Sequence, residues 1–134
     1  MSRLIDLGFG DASLIYNDKI IYFKFKNDPT IDVEAAKIIE ETVVKLSKGN
    51  PIVMFVDIRS VNGEFESDAK TYLSRSEKLK KVRKAQVFVI DSLANRIIAS
   101  FYSRLFKRKI SSKIFNNYDT AMKWAEEKAD QLIE

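Results

Sequence analysis

Asp57 and Asp91 each fall near the end of an apolar run, Ile52–Ile58 and Ala85–Ile90, and each run reads as a strand buried on both faces. Two carboxylates near the carboxyl ends of neighbouring strands are raw material for a general acid–base pair, or for an oxygen-ligand site for magnesium. Arg59, Ser60, Ser67 and Ser92 would lie close by and complete a polar cluster where open α/β sheets collect ligands. Each member also has a plainer reading. Ser67 and Ser92 suit helix N-caps, and the acids suit helix dipoles or a pair with Arg59. The dense Asp spacing of a dedicated metal site is missing, so no metal is expected. A second constellation, Glu66-Ser67-Asp68, stands at the foot of a helical segment, after a loop containing Asn62 and Gly63. A serine in that position is a candidate phosphoacceptor, and an acid there stabilises a helix start.

The remaining composition removes most other chemistry. The 134 residues include no cysteine and no histidine. Disulfides and thiolate nucleophiles are therefore excluded, and so are the commonest general base and the commonest transition-metal ligand. An enzyme built on Asp57 and Asp91 alone is the weakest reading, and no cofactor is expected. Asp6 interrupts the N-terminal apolar residues, and the longest wholly apolar run is Ile52–Val56, far short of a membrane span. These features predict a cytoplasmic, soluble protein. With 46% apolar residues and no linker or repeat, residues 1–134 read as one domain.

Charge is segregated along the chain. Residues 70–113 hold 13 Lys or Arg against only Glu77 and Asp91, whereas the whole chain carries a net charge of only +4. A field of that kind steers acidic partners. The basic runs Lys78–Lys84 and Arg104–Lys109 both fall at predicted helix C-termini, where lysine also favours the dipole. No aromatic residue interrupts the first run and no nucleic-acid motif is present, so nucleic-acid binding is a minority reading.

Periodicity orders the elements. Ala12–Tyr16 and Ile20–Lys26 flank Asn17-Asp18-Lys19 as a hairpin, with Ile21, Phe23 and Phe25 alternating against polar neighbours. Asp32 caps an amphipathic helix over 33–47, which Gly49-Asn50-Pro51 ends. A strand at 52–58, a helix at 67–81, a strand at 85–90 and a helix at 93–107 follow. A strand at 112–115 and a helix at 120–133 complete the series, with Trp124 as a core anchor. The order β-β-α-β-α-β-α-β-α predicts an α/β fold: a small, mostly parallel sheet of four or five strands with an antiparallel N-terminal hairpin and helices packed on the sheet. Ile97, Ile98, Phe101, Tyr102, Leu105 and Phe106 make the 93–107 helix apolar over a wider stripe than one sheet contact needs. The excess reads as a core contact, a dimer or partner surface, the wall of an apolar pocket, or a face lying on an anionic membrane.

The segments "FVDIRSV" at 55–61, "AKTYL" at 69–73, "AQVFVIDSLANRIIASFY" at 85–102 and "KIFNNYDTAMKW" at 113–124 together resemble the STAS domains (sulfate-transporter and anti-sigma-factor-antagonist). They are most similar to the SpoIIAA-like branch, with its lipid-carrier type of fold. The resemblance spans about residues 12–133 and implies a non-catalytic regulatory module that binds a protein or senses a ligand. In the phospho-switch relatives the corresponding helix starts Asp-Ser-(Ser or Thr)-Gly, the second hydroxyl being phosphorylated. Glu66, Ser67, Asp68 and Ala69 occupy those positions here, which puts Asp68 at the phosphoacceptor; a one-residue slip would make it Ser67. The resulting expectation is a protein-contact module, as a homodimer or with a signalling partner. A carrier or sensor of a small apolar or amphipathic ligand is the alternative.

Overall fold

Alternation of apolar and polar residues in the first quarter of the chain produces a meander of three antiparallel strands, β1 (Leu4–Asp6), β2 (Gly10–Ile15) and β3 (Ile20–Phe25). The computed structural model of the chain describes residues 4–26, 30–59, 64–93, 96–97, 100 and 110–132. The β2–β3 turn is unusual. Tyr16, Asn17 and Asp18 all have positive φ, at 54°, 58° and 61°. Asn and Asp tolerate this left-handed region through local hydrogen bonding, whereas tyrosine does so less readily. The Tyr16 hydroxyl is tied down by donating to the Asp130 carboxylate at 3.0 and 3.2 Å.

Beyond the meander the sheet turns parallel. After the short strand β4 (Thr30–Ile31) and helix α1 (Val33–Ser47) comes β5 (Ile52–Asp57), which pairs with β3. The Asp32 carboxylate accepts the Ala35 N–H at 2.9 Å, as the sequence predicts for the start of α1. Next follow β6 (Glu64–Phe65), α2 (Ser67–Arg75), α3 (Glu77–Val82), β7 (Arg83–Val89), β8 (Ser111–Phe115) and α4 (Tyr118–Asp130). The main sheet has the order β1-β2-β3-β5-β7-β8, and β4 with β6 forms a separate parallel ribbon. The mixed, mostly parallel sheet and N-terminal hairpin are those the sequence predicts. The strand count is higher, at six, because β1 is a three-residue edge strand with exposed Leu4 and Asp6 and little apolar pattern to announce it.

All six residues of β5 are buried, so the strand carries a core on each side. On one side α1, α2 and α3 pack Ala36, Ile39, Val43, Leu73 and Leu79 against Phe23, Met54, Val56 and Phe88. On the other, α4 lies on Val53, Phe55, Val87 and Val89 through Ala121, Ala125 and Ala129, all with 0% exposure. Those small side chains at i, i+4 and i+8 bring the helix close to the sheet. Trp124, which the sequence predicts as a core anchor for the last helix, packs against this apolar cluster. It is half-buried at the margin, its ring 6.2 Å from that of Phe115.

The helix expected over 67–81 is broken at Ser76, whose backbone is extended (φ −63°, ψ 115°). Its hydroxyl accepts the Leu79 N–H at 3.1 Å and so starts α3 afresh, a local bond that competes with helix continuation. Of the helix expected over 93–107, Leu93, Arg96, Ile97 and Ser100 are helical. Ile98, Phe101, Tyr102, Leu105 and Phe106 lie outside the described residues, as does Ser60.

Gly10 sits where β2 crosses β3, and a Cβ there would stand 2.6 Å from the Lys24 carbonyl oxygen and 2.9 Å from the Phe25 Cα. Both neighbours are backbone, so Gly10→Ala forces the strands apart. A loss of about 1–3 kcal/mol is expected in urea unfolding. An unchanged midpoint would mean that the hairpin absorbs the methyl group.

Candidate functional site: the Asp57 ion cluster

Parallel pairing of β3 with β5 sets Lys24 beside Asp57 and Tyr22 beside Phe55. Residues two apart on a strand share a face, so Tyr22, Lys24 and Asp57 all lie on the α4 side, at the carboxyl end of the strands. Asp57 has 0% exposure, and a carboxylate so placed needs neutralising partners. Arg59 meets it with two nearly parallel bonds, Nε to Oδ1 at 3.0 Å and Nη2 to Oδ2 at 2.7 Å. The Arg59 backbone N–H reaches Oδ1 at 3.1 Å, and the Tyr22 hydroxyl donates to Oδ2 at 2.7 Å. Lys24 Nζ stands 3.6 Å from Oδ1 while donating to the Arg59 carbonyl at 3.0 Å. The guanidinium lies over the Tyr118 ring, 5.0 Å from its centroid, which attaches the first turn of α4 to the cluster.

These contacts set the protonation states. Burial alone would raise the Asp57 pKa, but hydrogen bonds from Arg59 and Tyr22, with Lys24 nearby, hold it below the usual carboxylate range. Burial and the bond to Asp57 push the Tyr22 phenol well above its ordinary value. Burial, with the nearby Asp57 charge, raises Tyr118 as well. The Asp57 bond in turn holds the Arg59 proton more firmly. The Asp57 carboxylate and the Arg59 guanidinium are therefore held as an ion pair near neutral pH.

Asp91 and Ser92 are exposed just beyond β7, and the neighbours that lower the Asp57 pKa are Arg59, Tyr22 and Lys24. The Ser92 carbonyl accepts the Arg96 N–H at 3.1 Å, the backbone role of an N-cap. Glu66 occupies the N-cap position of α2 without a side-chain capping bond. Ser67 is thus the first helical residue, and Glu66, Ser67 and Asp68 are all exposed. Asp68 borders a groove between α1 and α2 that is also lined by Val33, Glu40, Tyr72, Arg75 and Ser76.

Two features escaped the sequence reading. Tyr22 and Lys24 resemble ordinary outward-facing residues of an alternating strand, and only the parallel register with β5 turns them toward Asp57. Glu40 is the second. It is buried within α1, where the Tyr72 hydroxyl donates to Oε1 at 2.8 Å and the Ser76 hydroxyl donates to Oε2. The available signal was an acid within the helix's own apolar stripe, between Ala36, Ile39 and Val43.

The profile of DUF7793, a domain of unknown function, matches residues 14–128. The chain belongs to that family. The DUF7793 chain is also similar in structure to an uncharacterised protein of the DUF3478 family from Shewanella loihica PV-4, described as having a SpoIIAA-like fold. The TM-score is 0.56 and the sequence identity 13%, over 93% of this chain and 92% of that one. Such a match establishes a SpoIIAA-like fold, as the sequence resemblance implies, and the fold alone. No curated protein matches. Among the described residues no helix is long and apolar enough to cross a membrane.

Because the folded pKa of Asp57 lies below its unfolded value, the cluster stabilises the fold fully above the unfolded pKa of about 4, and the contribution disappears as pH falls through the folded value. Asp57→Asn should remove that part of the acid sensitivity. It should also cost on the order of 2 kcal/mol at pH 7, below the roughly 3–5 kcal/mol of a wholly buried pair, since Arg59 and Lys24 remain partly solvated. Urea midpoints of both proteins from pH 3 to 7 check this; parallel curves would remove Asp57 from the linkage.

Proposed function

We propose that the domain is a non-catalytic, SpoIIAA-like interaction module that docks an acidic protein partner through the face begun by Leu93 and Ile97. The carrying observation is the exposure of these two side chains, 74% and 63%, one helical turn apart. They lie within the 70–113 segment of the sequence, which holds 13 Lys or Arg and only two acids. A symmetric dimer through this face would oppose two such segments, so an acidic heterologous partner is the better electrostatic match. The ion cluster supports a non-catalytic reading. Asp57 is ionised, buried and bonded through both oxygens, which leaves no basic lone pair directed at a substrate.

Support for the carrier alternative is weaker. Among the described residues, an apolar cavity lined by Phe23, Phe25, Met54, Phe65, Leu73 and Phe88 measures about 20 Å³. A ligand site of ordinary size needs roughly 300–1,000 Å³.

With Leu93→Glu/Ile97→Glu as the control bait, the wild-type domain should retain a host protein that the control loses. About 0.5 M salt should weaken the capture, as expected for a charge-steered encounter. Capture that ignores both changes, or a salt-stable dimer abolished by the double substitution, would overturn the proposal.

The exposed α2 start supports a permanent rather than a reversible charge. Asp68 stands in the first turn, where a carboxylate is favourable by about 0.3–1 kcal/mol, and Ala69 beneath it is fully buried. Intact-mass analysis of protein purified from its own host should show Ser67 unmodified. Stoichiometric phosphate on Ser67 would establish a switch instead.

A further inference from the structure

A guanidinium has two flat edges, each able to present two parallel N–H groups to an oxyanion. In Arg59 the Nε/Nη2 edge is taken by Asp57, at 3.0 and 2.7 Å. Among the described residues the Tyr22 hydroxyl is the other group that holds the Arg59 proton, and the Nη1/Nη2 edge is otherwise open. The group is anchored from behind by a carboxylate with no exposure, held flat by the Tyr118 ring, and is itself 37% exposed. It opens on a shallow cleft of about 630 Å³ lined by Tyr22, Asn116, Asn117, Tyr118 and Asp119. The cleft lies outside the carboxyl ends of β3 and β5, where ligands of open α/β sheets collect.

We propose that this outer edge of Arg59 binds an oxyanion, the carboxylate or phosphate group of a small polar ligand seated in the cleft. Of the charged groups that line the cleft, Arg59 is the cation and Asp119 the opposing acid, so an anion must be held by the fork of N–H groups rather than by an excess of charge. The exposed amides of Asn116 and Asn117 supply further donors at the wall, which Tyr22 and Tyr118 also line. Among the described residues Asp119 is the one acid lining the cleft. Its charge opposes an anion and selects against highly charged ones, so singly charged carboxylates and phosphodiesters suit the site better than dianions. The Leu93–Ile97 face plays no part in this site, and either proposal stands without the other.

The test is a nitrogen-15 NMR titration at pH 7 and constant ionic strength, with sodium phosphate, sodium acetate and sodium chloride as separate probes. Saturable shifts of the Arg59 Nε–H and of the Asn117, Tyr118 and Asp119 amides are expected with phosphate, acetate or both, and not with chloride. Response to phosphate alone identifies a phosphoryl ligand, and response to acetate alone a carboxylate. Asp119→Asn should tighten binding about threefold by removing a like charge. Arg59→Lys keeps the charge but loses the fork, and should weaken binding by about tenfold or more. If Arg59→Lys fails to fold for want of its Asp57 contact, Asp119→Asn decides alone. Linear shifts, shifts equal to those with chloride, or an affinity unmoved by Asp119→Asn would overturn the site.

Discussion

A carboxylate with no solvent contact, at the end of a strand buried on both faces, constrains everything around it. Asp57 is stable there because β3 supplies Tyr22 and Lys24, the turn after β5 supplies Arg59, and α4 supplies the ring beneath that arginine. Each contributor comes from a different part of the chain. The cluster therefore works as a register mark: moving β3 by one residue against β5 would turn Tyr22 and Lys24 to the opposite face and leave Arg59 to hold the buried charge without them. Beneath it, Tyr22 stacks on Phe55 at 5.1 Å and Tyr118 meets Phe55 edge-on at 5.5 Å, so the polar end and the apolar interior share one set of rings.

The opposite face has its own buried acid, satisfied in a different manner. Glu40 is held by two hydroxyls, Tyr72 from α2 and Ser76 from the break before α3. Ser76 thus serves two elements at once, accepting from Leu79 to begin α3 and donating to α1. Asp57 fixes how the strands end, and Glu40 fixes how the helices meet. Neither arrangement belongs to the hydrophobic pattern, yet each determines where an element of that pattern stops.

Apolar periodicity made the central architecture legible. The predicted segments 33–47 and 52–58 fall on α1 and β5 almost residue for residue, because a cap at Asp32, a stop at Gly49-Asn50-Pro51 and a continuous branched run leave little choice. Tertiary effects supplied the rest. The two-residue strands β4 and β6 exist only through each other and are too short for a period to show. The break at Ser76 rests on a serine whose capping role became decisive once Glu40 stood opposite it. For the site, Asp57 and its pairing with Arg59 were readable from a strand-end acid two residues before a base. Tyr22, Lys24 and Tyr118 were not, since their convergence depends on a parallel register and on which face α4 covers.

The main sheet is also laid down in the order of synthesis: β1, β2, β3, β5, β7 and β8 are successive neighbours, and no later strand inserts between two earlier ones. A chain leaving the ribosome can add each strand to an edge already in place. One face, however, must wait. Among the described residues, the helix that covers Val53, Phe55, Val87 and Val89 is α4, which arrives after every strand is made. At about 5–20 residues per second, the nascent sheet carries a bare apolar surface for on the order of a second or more before that helix can close it. During that interval the growing chain is a natural client for ribosome-associated chaperones, and a stall before α4 would leave a well-formed sheet with an adhesive back.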